Sequence, residues 1–331
     1  MRLIHEVTGD FSGGDQVRDS ILVTGGLGFI GSHIVNALVG EPKHEVFVYD
    51  INASNSGSEK VTTMRGDVFD SDRLLKVVRD REVSSIVHMV GLASIPACNE
   101  NPDLSFQLNV ASVQNILEAM RLCDAKRLIF PSTAAVYGAT NGPKVDERVD
   151  PRPSNVYGCH KLAAELLIRA YAENYGFDAT ILRIFNVYGD LDKEQGVVSI
   201  FIRKTLAGEP LLVNGGGQLR DFVFLNDVVE AFVKSMRNTA SYQETINVAS
   251  GVGLAIREIA EWVQESFPKA EVEYAPPNDE EYSIYADVSR MRNMLACTPI
   301  HPRIGIPMFM EKCKLKCMRD KGMPPVASSA K

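Results

Sequence analysis

A tyrosine and a lysine that lie four residues apart are the side chains of this sequence best suited to proton transfer. Tyr157 and Lys161 fall within the helical pattern of residues 156–175, so at this spacing they share one helix face. A nearby ammonium favours the phenolate, which lowers the pKa of a tyrosine from about 10 toward neutral pH. Tyr157 is therefore predicted to act as a general base toward a hydroxyl group and as an acid in the return step.

A third polar group is expected beside this pair. The apolar strand of residues 128–133 ends at Thr133, whose hydroxyl is suited to bridge a substrate and Tyr157. A tyrosine and a lysine at this spacing occur by chance in many helices, so the pair becomes informative only together with other motifs.

The first predicted strand leads into three glycines spaced three residues apart, within residues 21–31, and then into a helix. In such a turn the first glycine permits the tight bend, the second lets the backbone approach a pyrophosphate, and the third lets the helix pack on the strand. The helix N-terminus then faces the phosphates with free N–H groups. The residues expected to hold a dinucleotide here are Gly25, Gly28, Phe29, Ile30 and Gly31.

Two carboxylates lie at the ends of later predicted strands, at the spacing from the glycine turn that a dinucleotide site requires. Asp50 ends the next strand, 19 residues beyond Gly31, where a carboxylate accepts from both ribose hydroxyls of NAD. It repels the 2′-phosphate of NADP, and the following Ile51 and its neighbours supply no arginine, so NAD is the expected cofactor. Asp67, followed by Val68, is suited to accept from the adenine amino group. Taken singly, each aspartate reads equally well as a turn residue.

Short β-branched runs alternate with amphipathic stretches, which implies an α/β fold with a parallel sheet covered on both faces. We expect a doubly wound (Rossmann) sheet with a smaller C-terminal α/β substrate lobe over the carboxyl ends of its strands. The predicted strands are residues 21–24, 46–50, 85–90, 127–132, 179–184 and 245–249. The predicted helices are residues 30–39, 103–121, 156–175, 195–207, 227–236 and 255–267.

The expected division of the chain follows from this pattern. Residues 1–19 form a polar leader, residues 20–189 an NAD-binding domain to which 226–250 contribute, residues 190–310 mainly a substrate-binding lobe, and residues 311–331 a basic tail.

From residue 21 to about residue 299 the chain resembles the extended short-chain dehydrogenase/reductase family of nucleotide-sugar epimerases and dehydratases. The matching stretches are TGGLGFIG at 24–31, GDV at 66–68, residues 88–96, STAAVYG at 132–138, YGCHK at 157–161, LRIFNVYG at 182–189 and RDF at 220–222. The resemblance implies that Thr133, Tyr157 and Lys161 form the catalytic triad. Lys161 is also expected to hold the nicotinamide ribose.

The residues after Thr133 distinguish among the reactions of this family. In its 4,6-dehydratases an Asp-Glu pair follows the threonine, and its uronate decarboxylases carry a glutamate there, whereas this chain has Ala134 and Ala135. The resemblance therefore implies a UDP-glucose 4-epimerase-like enzyme that works by temporary oxidation. Tyr157 takes the 4-hydroxyl proton while C4 gives hydride to NAD, and the 4-keto sugar then receives hydride on its other face.

The substrate implied by the resemblance is a nucleotide-diphosphate sugar, with a UDP-sugar favoured. Asn186 and Arg220 resemble the residues that contact the diphosphate, and Ser94 is expected to approach the sugar. Plainer interpretations are a cap or turn for Asn186, an ion pair with Asp221 or Asp227 for Arg220, and a turn for Ser94. UDP-hexose, UDP-N-acetylhexosamine and UDP-uronate remain open.

One departure from the family pattern affects the diphosphate. Many family 4-epimerases carry a second arginine before the Tyr-Ala-Asp stretch at 285–287, but residues 275–282 hold three acids and no arginine, around Asn278. Either Arg290 or Arg203 then assists Arg220, or the substrate is unusual. Asn109 is expected to be a helix-packing residue and His160 a solvent-exposed one.

Composition excludes several other classes of function. A net charge of −7 and a pI of about 5.5 do not indicate a basic surface that would bind nucleic acid. The sequence contains no run of about 18 apolar residues, so we expect no transmembrane helix. Six scattered cysteines lack metal-site spacing, so we expect reduced thiols in a cytoplasmic protein without a metal.

Two rival functions share this fold. A reductase of nucleotide-diphospho-4-keto sugars would use the same triad but release its cofactor at each turnover, and Asp50 argues against its usual NADPH. A dinucleotide sensor would tend to lose the Tyr157 and Lys161 pair, which this chain keeps. By resemblance we also expect a homodimer, packed through residues 103–121 and 156–175; Leu108, Ile116, Leu166 and Ile168 permit such an interface and suit an ordinary core equally well.

Overall fold

The structure is a computed structural model that describes residues 19–41, 44–57, 60–191, 196–277 and 282–320. The expected leader up to residue 18, the acidic stretch 278–281 and the end of the basic tail lie outside these residues. The strands are β1 (Asp19–Thr24), β2 (His44–Asp50), β3 (Ser56–Gly57), β4 (Val61–Arg65), β5 (Ser85–His88), β6 (Arg127–Thr133), β7 (Lys144–Val145), β8 (Asp178–Ile184), β9 (Asn186–Tyr188), β10 (Leu211–Asn214), β11 (Leu219–Phe224), β12 (Glu244–Val248), β13 (Gly253–Ala255), β14 (Val272–Ala275) and β15 (Tyr285–Ala286). The α-helices are α1 (Phe29–Val39), α2 (Ser71–Asp80), α3 (Ile95–Glu100), α4 (Pro102–Phe106), α5 (Ser112–Cys123), α6 (Val156–Tyr175), α7 (Val197–Ala207), α8 (Leu225–Arg237), α9 (Ile256–Ser266), α10 (Ser289–Leu295) and α11 (Pro302–Asp320).

The central sheet has the strand order β12-β8-β6-β5-β1-β2-β4-β3, and every pair is parallel except β3 with β4. Its strands are apolar along almost their whole length because helices cover both faces. Ile34 of α1 and Phe232 of α8 pack on one face, and Ile116 of α5 and Ile168 of α6 pack on the other. The predicted doubly wound fold is confirmed.

The predicted helix of residues 103–121 is interrupted in its first half. A π-helical turn, Gln107–Ala111, joins α4 to α5 and inserts one extra residue into the helical repeat. The wide turn brings the buried side chain of Asn109 to the backbone of Leu92 in the loop after β5. Apolar periodicity alone does not reveal this change of hydrogen bonding.

The smaller lobe has a core of its own, formed between α7, α9, α11 and two short sheets, β10-β14 and β13-β11-β9. Helix α11 runs past the expected boundary at residue 310, because Phe309, Met310 and Cys313 are buried in that core. Helix α10 falls within the expected substrate lobe, but its Met291 and Leu295 pack into the core of the central sheet instead.

The buried face of α11 yields a test of this packing. Phe309→Ala should destabilise the protein by about 3 to 5 kcal/mol, because it removes a large side chain that is only 4% exposed. Met308→Ala, at a neighbouring position that is 60% exposed, should change stability by less than about 0.5 kcal/mol. Urea unfolding of both variants measures the difference, and equal losses would show that α11 is not anchored in the lobe core.

Candidate active site

The site lies at the carboxyl edge of the central sheet, where the strand order reverses between β1 and β5. β1 leads into Gly25, whose φ of +68° is in the left-handed region that glycine adopts without strain. A Cβ on Gly25 would lie 2.8 Å from the backbone nitrogen of Val90, and a Cβ on Gly31 would lie 2.5 Å from the carbonyl oxygen of Gly25. Both positions therefore require glycine.

Helix α1 begins directly after this turn. Gly28 is its N-cap residue, Phe29 and Ile30 open its first turn, and no described side chain caps the helix. The first backbone N–H groups thus remain available to an anionic ligand, and they carry the positive end of the helix dipole. A pyrophosphate is the kind of group that fits this cradle.

Asp50 is buried at the end of β2 and braces the glycine turn. Its carboxylate accepts hydrogen bonds from the backbone nitrogens of Leu27 at 3.1 Å and Asn52 at 2.9 Å. Each carboxylate oxygen has further lone pairs, so these bonds leave Asp50 able to accept from a ribose.

The remaining residues expected near the adenosine lie beyond Asp50. Ile51 exposes 57% of its surface, whereas Val68 is buried. Asp67 is exposed, and its carboxylate accepts from the backbone nitrogen of Phe69 at 3.0 Å within its own turn. This geometry is compatible with a turn role and with a ligand role for Asp67.

The three residues singled out for proton transfer meet at the same edge of the sheet. Tyr157 and Lys161 lie one turn apart on α6, and the Tyr157 phenol lies near Thr133 at the end of β6. The Thr133 hydroxyl also accepts from the backbone nitrogen of Ala135 at 3.2 Å. Lys161 is buried, with its Nζ atom 4.0 Å from the centre of the Phe130 ring.

The expected lowering of the phenol pKa is not found. Burial raises the pKa of Tyr157 to about 12, the nearby Thr133 hydroxyl opposes this rise, and the nearby Cys98 adds to it. Burial also lowers the pKa of Lys161 to about 7. Spacing on a helix placed the two groups correctly, but it gave no information on how strongly both are desolvated.

Asn186 and Arg220 lie on neighbouring parallel strands, β9 and β11. The side-chain amide of Asn186 donates to the carbonyl oxygen of Asp221 at 2.8 Å. The guanidinium of Arg220 donates to the carbonyl oxygen of Tyr282 and lies 5.1 Å from the centre of the Tyr282 ring. These contacts differ from the turn and the ion pair that were the plainer interpretations.

The two aspartates considered as partners of Arg220 bind other groups. Asp221 is fully buried and accepts from the Ser250 hydroxyl at 2.6 Å and from the backbone nitrogen of Ala286 at 3.1 Å. Asp227 accepts from the backbone nitrogen of Ile300 at 2.9 Å. Asp221 thereby ties β11, which carries Arg220, to β15.

Three other candidates have structural contacts. The Ser94 hydroxyl is exposed and accepts from the backbone nitrogen of Ala97 at 3.3 Å, so it caps α3. Arg290 is an incorrect choice for the diphosphate, because it binds Glu244 at 2.5 Å at the amino end of β12, the sheet edge opposite the site. Arg203 donates to the carbonyl oxygen of Leu191 at 2.8 Å.

Asn109 and His160 have more definite contacts than the sequence indicated. The buried amide of Asn109 binds both backbone groups of Leu92, at 3.2 and 3.1 Å, and so fixes the loop after β5. His160 is half-buried rather than solvent-exposed, since its ring hydrogen-bonds with Ser105 at 2.8 Å and packs on Phe106.

One buried group escaped the sequence interpretation altogether. Glu165 follows Lys161 by one helical turn, and its carboxylate is fully buried between Ser132 and Arg183. The only signal in the sequence is an acid at the buried face of α6, four residues after the lysine.

Residues 21–249 match the model of the NAD dependent epimerase/dehydratase family. The chain belongs to this family. A putative UDP-glucose 4-epimerase of Methanocaldococcus jannaschii is 34% identical over 284 residues, which cover 83% of this chain and 92% of the relative. The solved UDP-glucose 4-epimerase of Thermotoga maritima with UDP-glucose is 27% identical, with a TM-score of 0.82 over 90% of this chain and 99% of its own. That of Thermus thermophilus with NAD is 32% identical, with a TM-score of 0.79 over 89% of this chain and 99% of its own.

NAD, the cofactor of this family, fits the residues at the carboxyl edge. The glycine turn leaves no room for side chains, the start of α1 presents N–H groups, and Asp50 stands at the end of the neighbouring strand. Among the described residues, no cluster of three or more His, Cys, Asp or Glu side chains is suited to hold a metal. No described helix is long and apolar enough to cross a membrane.

The buried lysine predicts a specific dependence of stability on pH. The pKa of Lys161 falls from 10.5, its ordinary value, to about 7 in the folded protein, so between these values the unfolded chain binds more protons. The free energy of unfolding therefore rises with pH across this window. In protein freed of dinucleotide, Lys161→Met should stabilise most below pH 7, and its advantage should shrink as the pH approaches 10.

Urea unfolding at a series of pH values measures this effect. Lys126→Met is the control, because it removes an exposed ammonium and leaves the buried one in place. A constant difference between wild type and Lys161→Met would contradict a depressed lysine pKa.

Proposed function

We propose that this chain catalyses the NAD-dependent epimerisation at C4 of a UDP-sugar, in which Thr133, Tyr157 and Lys161 are the catalytic residues. The observation that carries the proposal is the proximity of Thr133, at the end of β6, to Tyr157 on α6, one turn before Lys161, with Ala134 and Ala135 following Thr133. These two alanines offer no acid or base for elimination of water, so proton transfer at a single hydroxyl is the chemistry that the site supports.

Each residue of the triad has a separate task in this proposal. The Thr133 hydroxyl orients the sugar hydroxyl toward Tyr157, and Tyr157 takes the proton and later returns it. Lys161, when protonated, favours the phenolate and holds the nicotinamide ribose. NAD, when bound, supplies a group that accepts a hydride and gives it back.

The proposed cofactor residues are those of the glycine turn and the strand ends: Gly25, Gly28, Phe29, Ile30, Gly31, Asp50, Ile51, Asp67 and Val68. Asp50 accepts hydrogen bonds, which suits the ribose hydroxyls of NAD and opposes a 2′-phosphate. This preference also weighs against the reductase of 4-keto sugars, since NADPH is its usual cofactor.

The diphosphate is assigned to Arg220 and Asn186, and the sugar to Ser94. Support comes from the forked guanidinium of Arg220, which suits a diphosphate and is held at the edge of the lobe by Tyr282. Ser94 keeps a hydroxyl proton to donate, since its helix cap uses only the oxygen as an acceptor. The sugar itself is open among UDP-hexose, UDP-N-acetylhexosamine and UDP-uronate.

We further propose a cytoplasmic homodimer. All six cysteines are free thiols, which suits a reducing compartment. Of the residues considered for the interface, Ile116 and Ile168 are instead fully buried in the core, Leu108 is half-buried, and Leu166 on α6 is 57% exposed. Leu122 on α5, which was not among the residues considered, is 53% exposed. Leu166 and Leu122 support an interface formed by α5 and α6.

A panel of UDP-sugars tests the catalytic proposal. Proton NMR should show interconversion at C4 for at least one UDP-sugar without added cofactor, because NAD is regenerated in each cycle. Tyr157→Phe should lower the rate by about 10²- to 10⁴-fold, since it removes the proton-transfer group, while bound NAD stays at the wild-type level. Stoichiometric consumption of added NADH or NADPH would indicate the reductase instead.

Sedimentation velocity tests the interface. Leu166→Asp should convert the dimer to monomer by placing a charge in the apolar contact, with unchanged secondary structure. Met308→Asp, an equally exposed apolar position on α11, is the matched control and should leave the dimer intact. A wild-type protein that sediments as a monomer would rule out the dimer.

A further inference from the structure

Beneath the triad lies a buried ion-pair network centred on Glu165. Its carboxylate is 0% exposed and accepts from the Ser132 hydroxyl at 2.5 Å and from the Nε atom of Arg183 at 3.0 Å. Its other oxygen accepts from Arg183 at 2.7 Å and from Arg169 at 2.8 Å. A buried carboxylate is costly unless it is paired and hydrogen-bonded in this way.

The network links the elements that carry the triad. Ser132 and Arg183 are paired across the neighbouring strands β6 and β8, and Ser132 immediately precedes Thr133. Glu165 is one turn beyond Lys161 on α6. A single carboxylate therefore joins the strand end that bears Thr133 to the helix face that bears Lys161.

The charge of Glu165 also acts on Lys161. Burial lowers the pKa of Lys161, and the negative charge of Glu165 opposes that change. Burial acts to raise the pKa of Glu165 itself, but the hydrogen bond and charge of Arg183 outweigh it and hold that pKa below its usual range. Glu165 thus stays ionised while Lys161 titrates.

The other groups around Lys161 do not supply a counter-charge. His88 of β5 faces it, and burial lowers the pKa of His88 to about 3, so this ring is neutral. The ring of Phe130 in β6 lies against the ammonium. On α6 the Tyr157 phenol, which also faces the Cys98 thiol of α3, is neutral near pH 7 because its pKa is raised.

We propose that Glu165 is a positioning residue for catalysis, which holds Thr133 and Lys161 in register and supplies the buried negative charge that acts on the Lys161 ammonium. The proposal rests on the proposed function, because it acts through the triad. Glu165 touches neither the cofactor cradle nor the substrate residues, so its effect reaches the phenol only through its two neighbours.

Three variants separate electrostatics from plain stability. Glu165→Gln keeps the shape of the side chain and removes its charge. Arg169→Gln removes a cation from the same carboxylate, at a side chain that is 44% exposed. Glu230→Gln is the control, since Glu230 also pairs with a cation one helical turn away, Lys234 at 2.5 Å, but on α8.

The kinetic readout is kcat and KM as functions of pH at low ionic strength, where partly exposed charges act most strongly. Glu165→Gln should lower kcat by about ten-fold or more at pH 8 and leave KM within about two-fold of the wild-type value. It should also shift the alkaline limb of the kcat profile to lower pH, because Lys161 then loses its proton at a lower pH. Arg169→Gln should shift the same limb to higher pH, since the carboxylate is then less neutralised. Glu230→Gln should give the wild-type profile.

A second readout does not require turnover. In dinucleotide-free protein, Lys161→Met is introduced into the wild type and into each variant. The resulting change in the free energy of unfolding is then measured as a function of pH. The lower edge of the pH range over which this change varies should fall in Glu165→Gln and rise in Arg169→Gln, while the upper edge, set by the unfolded chain, should stay in place. This measurement stands even if no UDP-sugar is converted, so the failure of the proposed function and the failure of this inference are distinguishable.

Opposite shifts for the two variants would support the proposal. Shifts in the same direction, or a wild-type pH profile and kcat for Glu165→Gln, would overturn it. If Glu165→Gln does not fold, Arg169→Gln decides alone: a shift to higher pH supports the proposal, and no shift overturns it.

Discussion

The structure around the candidate site depends on one electrostatic constraint, which is that an ammonium and a phenol lie where little water reaches them. Lys161 is 4% exposed. Burial lowers the pKa of Lys161 and raises that of Tyr157, so it favours the neutral form of each group. Charges placed in such surroundings act on one another far more strongly than in water. The chemistry of the site is thus set by how the surrounding residues replace the lost hydration.

The parallel sheet explains how that replacement is assembled. Parallel strands end at a common edge, so β1, β2, β5 and β6 deliver the glycine turn, Asp50, His88 and Thr133 to one place, although these residues are far apart in the sequence. Helix α6 then brings Tyr157, Lys161 and Glu165 to that edge on a single face. No element carries the site by itself.

The sequence predicted most of this framework because buried parallel strands are continuously apolar and the glycine turn has a fixed spacing. It did not predict the π-helical turn at Gln107–Ala111, since a change from one hydrogen-bonding pattern to another leaves the apolar repeat almost unaltered. It also did not predict the packing of α11, because the buried Cys313 lies between Lys312 and Lys314 in a segment rich in lysine. Within the site, Glu165 was missed for a related reason: its partners Ser132 and Arg183 come from strands whose register the sequence does not state.

The strand that carries Arg220, proposed to bind the diphosphate, shares its packing with the central sheet. Asp221 binds the backbone of Ala286, and Ile284 donates from its backbone nitrogen to the carbonyl oxygen of Leu219 at 3.0 Å, so β11 and β15 move together. Ile284 and Ala286 belong to the core of the central sheet. Arg220, which follows Leu219 on β11, is therefore positioned by the same core that supports β1 and α1. A hydride-transfer enzyme needs this rigidity, because its reacting atoms must stay aligned to within fractions of an ångström, and a substrate lobe with an independent core alone would not provide it.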